Sequence, residues 1–191
     1  RYMIVVTGGE LLAGAFPDGH THFLTRTLRP LGLQCVGSMT VDDGKQDICS
    51  ALKYATERAE LVIVTGGLGP TLDDAVRGAV ARAFDAPLRH DEKAWAMILE
   101  RFSRRNLPMR ESNRRQTLIP QGAEPIYNNY GTAPGFAIPA CDGRPALIAL
   151  PGPPREMKPL FEEQAVPWLR SAFPVAHCQR VLEIHTAGRS E

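Results

Sequence analysis

The stretch 61-LVIVTGGLGPTLDD-74 decides how this chain of 191 residues is read. Leu61 to Thr65 are apolar and largely β-branched, the composition of a strand buried on both faces. Gly66, Gly67 and Gly69 follow at once; they tolerate positive φ and let a ligand approach the backbone, while Pro70 stiffens the exit. Thr71 or Asp73 is placed to cap a helix running to about Phe84. A strand, a glycine turn and a helix N-terminus together present unpaired N–H groups and a positive dipole end, which favours an anion, most often a phosphate. No Gly-Lys-Ser/Thr follows the glycines and the GxGxxG spacing is absent, so neither a Walker loop nor a dinucleotide-binding turn is present. A plain tight turn uses the same glycines, and the stretch alone predicts a site, not a function.

Around this turn the composition excludes several classes. Lys and Arg number 22 against 21 Asp and Glu, and they are scattered, so no nucleic-acid or anionic membrane surface is expected. Arg104, Arg105, Arg110, Arg114 and Arg115 form the one basic concentration, expected to be a solvated helix face. Cys35, Cys49, Cys141 and Cys178 lie far apart with no CxxC pair, which predicts reduced thiols in a cytoplasmic protein. No apolar run is long enough to cross a bilayer, and Tyr2 to Val6 reads as a first strand, being too short for a signal-peptide core. One domain is expected over residues 1–175, with 176–191 the start of a following, truncated strand or segment; the missing initiator Met suggests a trimmed start.

Taken in order, strand Tyr2 to Thr7 leads into GGELLAG, which places Glu10 past the strand's carboxyl end, as a site residue or a solvated glutamate. Leu24, Leu28 and Leu31 give the spacing of a helix over His20 to Leu31, stopped by Gly32. His20 and His22 diverge on that helix and are assigned to the surface. Gln34 to Val41 is a second strand, and Gln46 to Arg58 a helix with Ile48, Leu52 and Ala55 inward; Asp43 either caps it or faces the crevice of Asp74. Trp95, Ile98, Leu99 and Phe102 form a helical stripe expected to pack in the core. A short helix at Arg110 to Thr117, short strands at Glu124 to Tyr127 and Gly135 to Ile138, and a buried strand at Pro145 to Leu150 follow. Pro151 to Pro154 then open a helix at Arg155 to Phe161, and Pro167 is expected to kink or break what comes after. Arg180 to Thr186 reads as a last strand. The βαβαβ order calls for a parallel sheet covered by helices.

Three motifs occur in one order, VTGGLGPTLDD, NNYGTAPGF and ALPGPPREMKPLFEE, and together they resemble the N-terminal domain of the CinA family of competence/damage-inducible proteins. The likeness runs from GGELLAG at Gly8 to the end of the chain. It implies a three-layer α/β/α domain with a mostly parallel sheet, the MoaB/Mog-like molybdopterin-binding fold. It also implies a metal-dependent hydrolysis, with Mg²⁺, Mn²⁺ or Co²⁺, of a nucleotide-sugar pyrophosphate such as ADP-ribose to AMP and ribose 5-phosphate. Many relatives carry a C-terminal domain that deamidates nicotinamide mononucleotide; the chain stops before one, and that activity is not expected of it. In the Mog-like relatives the same crevice binds molybdopterin and supports its adenylylation, which is the alternative expectation. A degenerate, non-catalytic module binding a phosphate ligand is the second alternative.

Carried over by position, Gly66, Gly67 and Gly69 match the phosphate-binding turn, with Pro70 and Thr71 beside it, and Asp74 matches the acidic residue shared by both groups. Asp43 matches a second acidic position, Glu10 the GxELL loop, Gly131, Thr132, Pro134 and Gly135 the GTAPG loop, and Pro151, Gly152 and Pro153 the LPGPP turn. Three positions depart from the family pattern: Gly9 for Asp or Thr, Asp18-Gly19-His20 for an Asn-Thr-Asn-like triplet, and Val76 for Thr. Asp73 and Asp74 diverge by about 100° on a helix, so Asp74 is assigned to the site and Asp73 to capping. Asp74, with Asp43, is the expected metal ligand, and Asp43 or Glu10 the base acting on water. A homo-oligomer binding a nucleotide-sugar or pterin is expected, with no nucleic-acid or membrane partner.

Overall fold

All six side chains of β1 (Tyr2–Thr7) are buried, because helices cover both faces of the sheet it sits in. The structure, a computed structural model, describes residues 1–174; the strand expected at Arg180 to Thr186, and Cys178, lie outside the described residues. After β1 come α1 (Gly9–Leu12), α2 (Gly19–Leu28), β2 (Cys35–Val41), α3 (Lys45–Thr56) and β3 (Leu61–Thr65). Then follow α4 (Val76–Ala83), β4 (Leu88–His90), α5 (Glu92–Arg104), β5 (Leu118–Pro120), β6 (Glu124–Ile126), β7 (Gly135–Ile138), β8 (Ala146–Leu150), α6 (Pro154–Leu160) and α7 (Val166–Ala172).

The main sheet has the order β2-β1-β3-β8-β7-β6. Its first four strands are parallel, and β7 and β6 run antiparallel to their neighbours. From β1 the chain steps outward to β2 and returns over α3 to β3 on the other side of β1. The winding direction reverses between β1 and β3, and ligands of open α/β sheets bind at such a reversal, beyond the strands' carboxyl ends. Alternate residues of each strand feed two cores. Val5, Val64 and Ala149 pack under α3 and α4 with Ile48, Leu52 and Val80. Ile4, Ile63 and Ile148 pack under α2, α6 and α7 with Leu24, Leu160 and Leu169. The three-layer α/β/α reading therefore holds, and β4 with β5 makes a separate two-stranded ribbon.

Several local expectations change. The helix after the glycine turn begins at Val76, not near Thr71, and its N-cap position is Ala75, so Asp73 caps nothing. The cause is Asp74, whose carboxylate draws the 69–71 backbone into a loop of its own. Asp43 does not cap α3 either; the N-cap there is Gly44. Pro167 does not end the helical run, which is continuous over 154–172; a π-helical turn at Phe161–Ala165 lies immediately before it and joins α6 to α7, a local irregularity of the hydrogen-bond ladder. The stripe on α5 is peripheral. Ile98 is buried, but Leu99 is 42 % exposed, and neither joins the two main cores. No helix among the described residues is long and apolar enough to cross a membrane.

Phe136, on β7, is fully buried against the α3/α4 side of the sheet. Phe136→Ala is expected to lower stability by roughly 3–5 kcal/mol in urea denaturation. A loss below about 1 kcal/mol would contradict this packing.

Candidate functional site

A cavity of about 830 Å³ opens at the β1/β3 reversal. It brings together Glu10, Asp43, Gly66, Gly67, Gly69, Pro70, Asp74, Thr132, Pro151, Gly152 and Pro153, residues from five separate stretches of the sequence. The remaining expected residues stand nearby with other tasks. Thr71 clamps Asp74, Gly131 and Pro134 line an adjacent cavity, and Gly135 is buried at the start of β7 beside the Ala149 carbonyl.

The glycine turn owes its shape to close approach. Gly66 has φ +100°, and a Cβ there would lie 2.3 Å from Thr7 Oγ1 and 2.6 Å from the Thr7 carbonyl oxygen. Only glycine lets the turn fold over the end of β1 in this way. Its N–H donates to Leu150 O at 3.0 Å, tying the turn to β8. The Gly69 N–H donates to Asp74 Oδ1 at 2.7 Å, while the Thr71 N–H and hydroxyl donate to Asp74 Oδ2 at 2.7 and 2.6 Å. The amides of Gly66 and Gly69, expected to face a phosphate, are thus spent on the turn itself. Within the glycine turn, the N–H groups of Gly67 and Leu68 have no hydrogen-bond partner among the described residues, and both residues line the cavity.

Beneath the turn lies Arg77, 4 % exposed, whose guanidinium donates to Gly69 O at 3.4 Å and Pro134 O at 3.5 Å. Burial pushes its pKa down to about 10 and Asp74 pulls the other way, so the group is charged at neutral pH. It gives the loop pair 69 and 134 a fixed positive charge. The sequence reading missed it, because an arginine inside an amphipathic helix has the appearance of a solvated one.

Two more wall residues were also missed. His20, assigned to the surface, is 8 % exposed, and its Nδ1 lies 2.8 Å from Thr65 Oγ1. Asp18 caps α2 by accepting from the His20 and Thr21 N–H groups at 2.9 and 3.0 Å, which turns the first residues of α2 toward the sheet. Glu156, 9 % exposed, accepts from Asn128 Nδ2 at 2.8 Å. A Cβ on Gly131 would overlap the Glu156 carboxylate at 1.6 Å, so the GTAPG loop needs glycine there to close over it. The signal for Glu156 was its place in the helix that follows LPGPP, in the crevice. Val76 fills the space below Gly67 with a methyl group, and Gly9 donates its N–H to Asp43 Oδ2 at 3.1 Å.

A divalent cation does not fit these carboxylates as a group. Both oxygens of Asp74 already accept hydrogen bonds, one oxygen of Asp43 does, and among the described residues no three His, Cys, Asp or Glu side chains converge. Mg²⁺ wants six oxygen ligands, and the carboxylates with open capacity here, Glu10, Asp43 and Glu156, do not converge on one point among the described residues. The cavity is better suited to hydrogen bonding. It offers the unpaired amides, the buried Thr7 hydroxyl and the Gln116 Oε1, the last two without a partner.

His20 sets a pH dependence of stability. Burial lowers its pKa below the ordinary 6.5, against the pull of Asp18 and of the Gly152 backbone. The unfolded chain therefore binds the proton first as pH falls, and stability from neutral His20 is present above the ordinary value and lost as pH drops through the lower folded value. Between roughly pH 7.5 and 5.5, the melting temperature of the wild type is expected to fall further than that of His20→Asn. Equal slopes in thermal melts would remove His20 as the cause.

A family model described as a probable molybdopterin binding domain matches residues 3–171. A protein of Caldicellulosiruptor bescii that carries the name competence-damage inducible protein is 38 % identical over 187 residues, covering 98 % of this chain and 45 % of its own length. The chain thus spans about half the length of the curated relatives it matches. The crystal structure of CinA from Thermoplasma acidophilum superposes with a TM-score of 0.77 at 32 % identity, over 87 % of this chain and 96 % of that one. The molybdopterin biosynthesis enzyme MoaB of Thermus thermophilus shares the fold, with a TM-score of 0.58 at 18 % identity over 90 % of this chain and 92 % of that one. The chain belongs to the molybdopterin-binding domain family and is a CinA-type N-terminal domain with a MoaB/Mog-like fold.

Proposed function

We propose that the cleft binds a phosphate-bearing pterin of the molybdopterin type. The observation that carries this reading is the pair of unpaired N–H groups, Gly67 and Leu68, beside buried and unpartnered Thr7 Oγ1 at the β1/β3 reversal. Amides of that kind suit phosphate oxygens. A hydrogen bond to a charged group contributes about 1.5–3 kcal/mol, and micromolar binding requires about 8 kcal/mol, so two amides do not suffice.

The ring supplies the remainder. The aminopyrimidinone edge of a pterin carries adjacent N–H donors, which a carboxylate such as Glu156 accepts in parallel, and Gln116 Oε1 adds an acceptor. Phe16, 65 % exposed at the mouth, is available to lie against a planar ring. The family match agrees with this ligand class. Binding is what these residues support; adenylyl transfer to the bound ligand is the chemistry consistent with the fold's other members.

The expected hydrolysis of ADP-ribose finds no support in the site, where Asp74 is engaged with backbone and hydroxyl donors and no three acidic or imidazole groups converge among the described residues. It keeps a direct test in AMP release with Mg²⁺, Mn²⁺ or Co²⁺. Homo-oligomer formation belongs to the same reading and is checked by sedimentation.

Calorimetric titration with molybdopterin is expected to give saturable binding. Asp74→Asn should weaken it by about tenfold or more, because the carboxamide has a single acceptor oxygen and sets its NH2 group against a donor, so the 69–71 loop loses its charged clamp. No affinity for molybdopterin, together with AMP release from ADP-ribose under any of these metals, would replace this reading with the hydrolase.

A further inference from the structure

Next to the cleft, on the far side of Thr132, a second cavity of about 620 Å³ lies between α5 and the 127–134 loop. We propose that it is a separate anion site that takes a phosphate or diphosphate group. The volume falls within the range of small-molecule sites, about 300–1,000 Å³. Met97 and Ile98 give it an apolar floor, and Arg101, Arg104 and Arg105 a basic rim. Arg101 and Arg104 stand i, i+3 on α5 and Arg105 is the residue that ends it; all three line the cavity.

The charge on that face is largely uncompensated. Arg104 pairs with Glu100 at 2.6 Å, whereas Arg101 and Arg105 have no carboxylate within ion-pair distance among the described residues. Arg101 is half-buried, and its Nη2 donates to Asn129 O at 2.5 Å, which fixes the guanidinium at the loop side of the cavity instead of in solvent. Burial and the neighbouring Arg105 and Arg104 disfavour its charged form, against the pull of Glu156, and an incoming anion adds to that pull. Guanidinium forks match phosphate oxygens in geometry as well as sign, and clustered arginines are the common phosphate receptor.

This site goes beyond the pterin reading and does not depend on it, because no residue of the α5 face lines the main cleft; Thr132 is the shared wall. Two sources of the phosphate share this chemistry. One is a free small anion, and the other is a second charged group of the molecule in the main cleft, reaching over Thr132.

The test is calorimetric titration of the chain with inorganic pyrophosphate in low and in physiological salt. Wild type is expected to bind, more weakly in the higher salt. Arg101→Gln and Arg105→Gln should each reduce affinity by about tenfold, with Arg101→Lys intermediate because it keeps the charge and loses the fork. Arg58→Gln, which removes an equal charge at the end of α3, should change nothing, and circular dichroism melts confirm that each variant folds. Molybdopterin that displaces pyrophosphate assigns the group to the cleft ligand; pyrophosphate that binds undisturbed is a separate anion. No pyrophosphate binding by the wild type, or binding that Arg101→Gln and Arg105→Gln leave unchanged, overturns the proposal.

Discussion

The site depends on one contact, the placement of Gly66 directly over Thr7. Parallel strands β1 and β3 end side by side, and the chain leaving β3 must cross the end of β1 to reach α4. With Thr7 Oγ1 only 2.3 Å from where a Cβ on Gly66 would be, no other residue permits that crossing. From it follow the bond from Gly66 N–H to Leu150 O, the place of Gly67 and Leu68 in the cavity wall, and the position of Thr65, which His20 meets. The Asp74 carboxylate then holds the remainder of the loop by accepting from Gly69 and Thr71.

A second level of support comes from buried charges, each with a local partner. Arg77 joins the glycine loop to the GTAPG loop through the carbonyls of Gly69 and Pro134, and Glu156 joins the LPGPP helix to the same loop through Asn128. Asn128 also accepts from the Tyr130 and Gly131 N–H groups at 2.8 and 2.7 Å. A buried charge is costly unless hydrogen bonds satisfy it, so these residues commit the three loops to one arrangement. The cleft walls are then set before any ligand arrives, and preorganisation of that kind reduces the ordering cost of binding.

Much of the fold was legible because its signals are local. Leu61 to Thr65 is continuous and β-branched, Ile48, Leu52 and Ala55 repeat at helical spacing, and Gly32 ends its helix with φ +74° as a left-handed glycine does. Expectations failed where a distant or competing partner took over. Asp73 was placed as a cap because a capping residue normally follows such a turn, yet Asp74 took the free amides into a loop and delayed the helix to Val76. Pro167 was expected to kink or break the helix, and the run instead continues through it with a π-helical turn just before. The stripe on α5 has core spacing, but the neighbouring elements leave part of it at the periphery.

The sequence by itself determined that this chain forms a mostly parallel α/β sheet with a glycine turn after its third strand, since strand composition, helical period and glycine spacing are properties of contiguous residues. The ordered motifs likewise identified the family from position alone. Only the tertiary structure decided which groups face the cavity. His20 enters it because Asp18 caps α2 and Thr65 offers a hydroxyl, Glu156 because Gly131 leaves room, and Gly66 leaves it because Leu150 accepts its N–H. Each of those outcomes depends on a partner distant in sequence, as with His20 and Thr65 at a separation of 45. A pattern of residue types along the chain carries no record of such competition; three-dimensional packing resolves it.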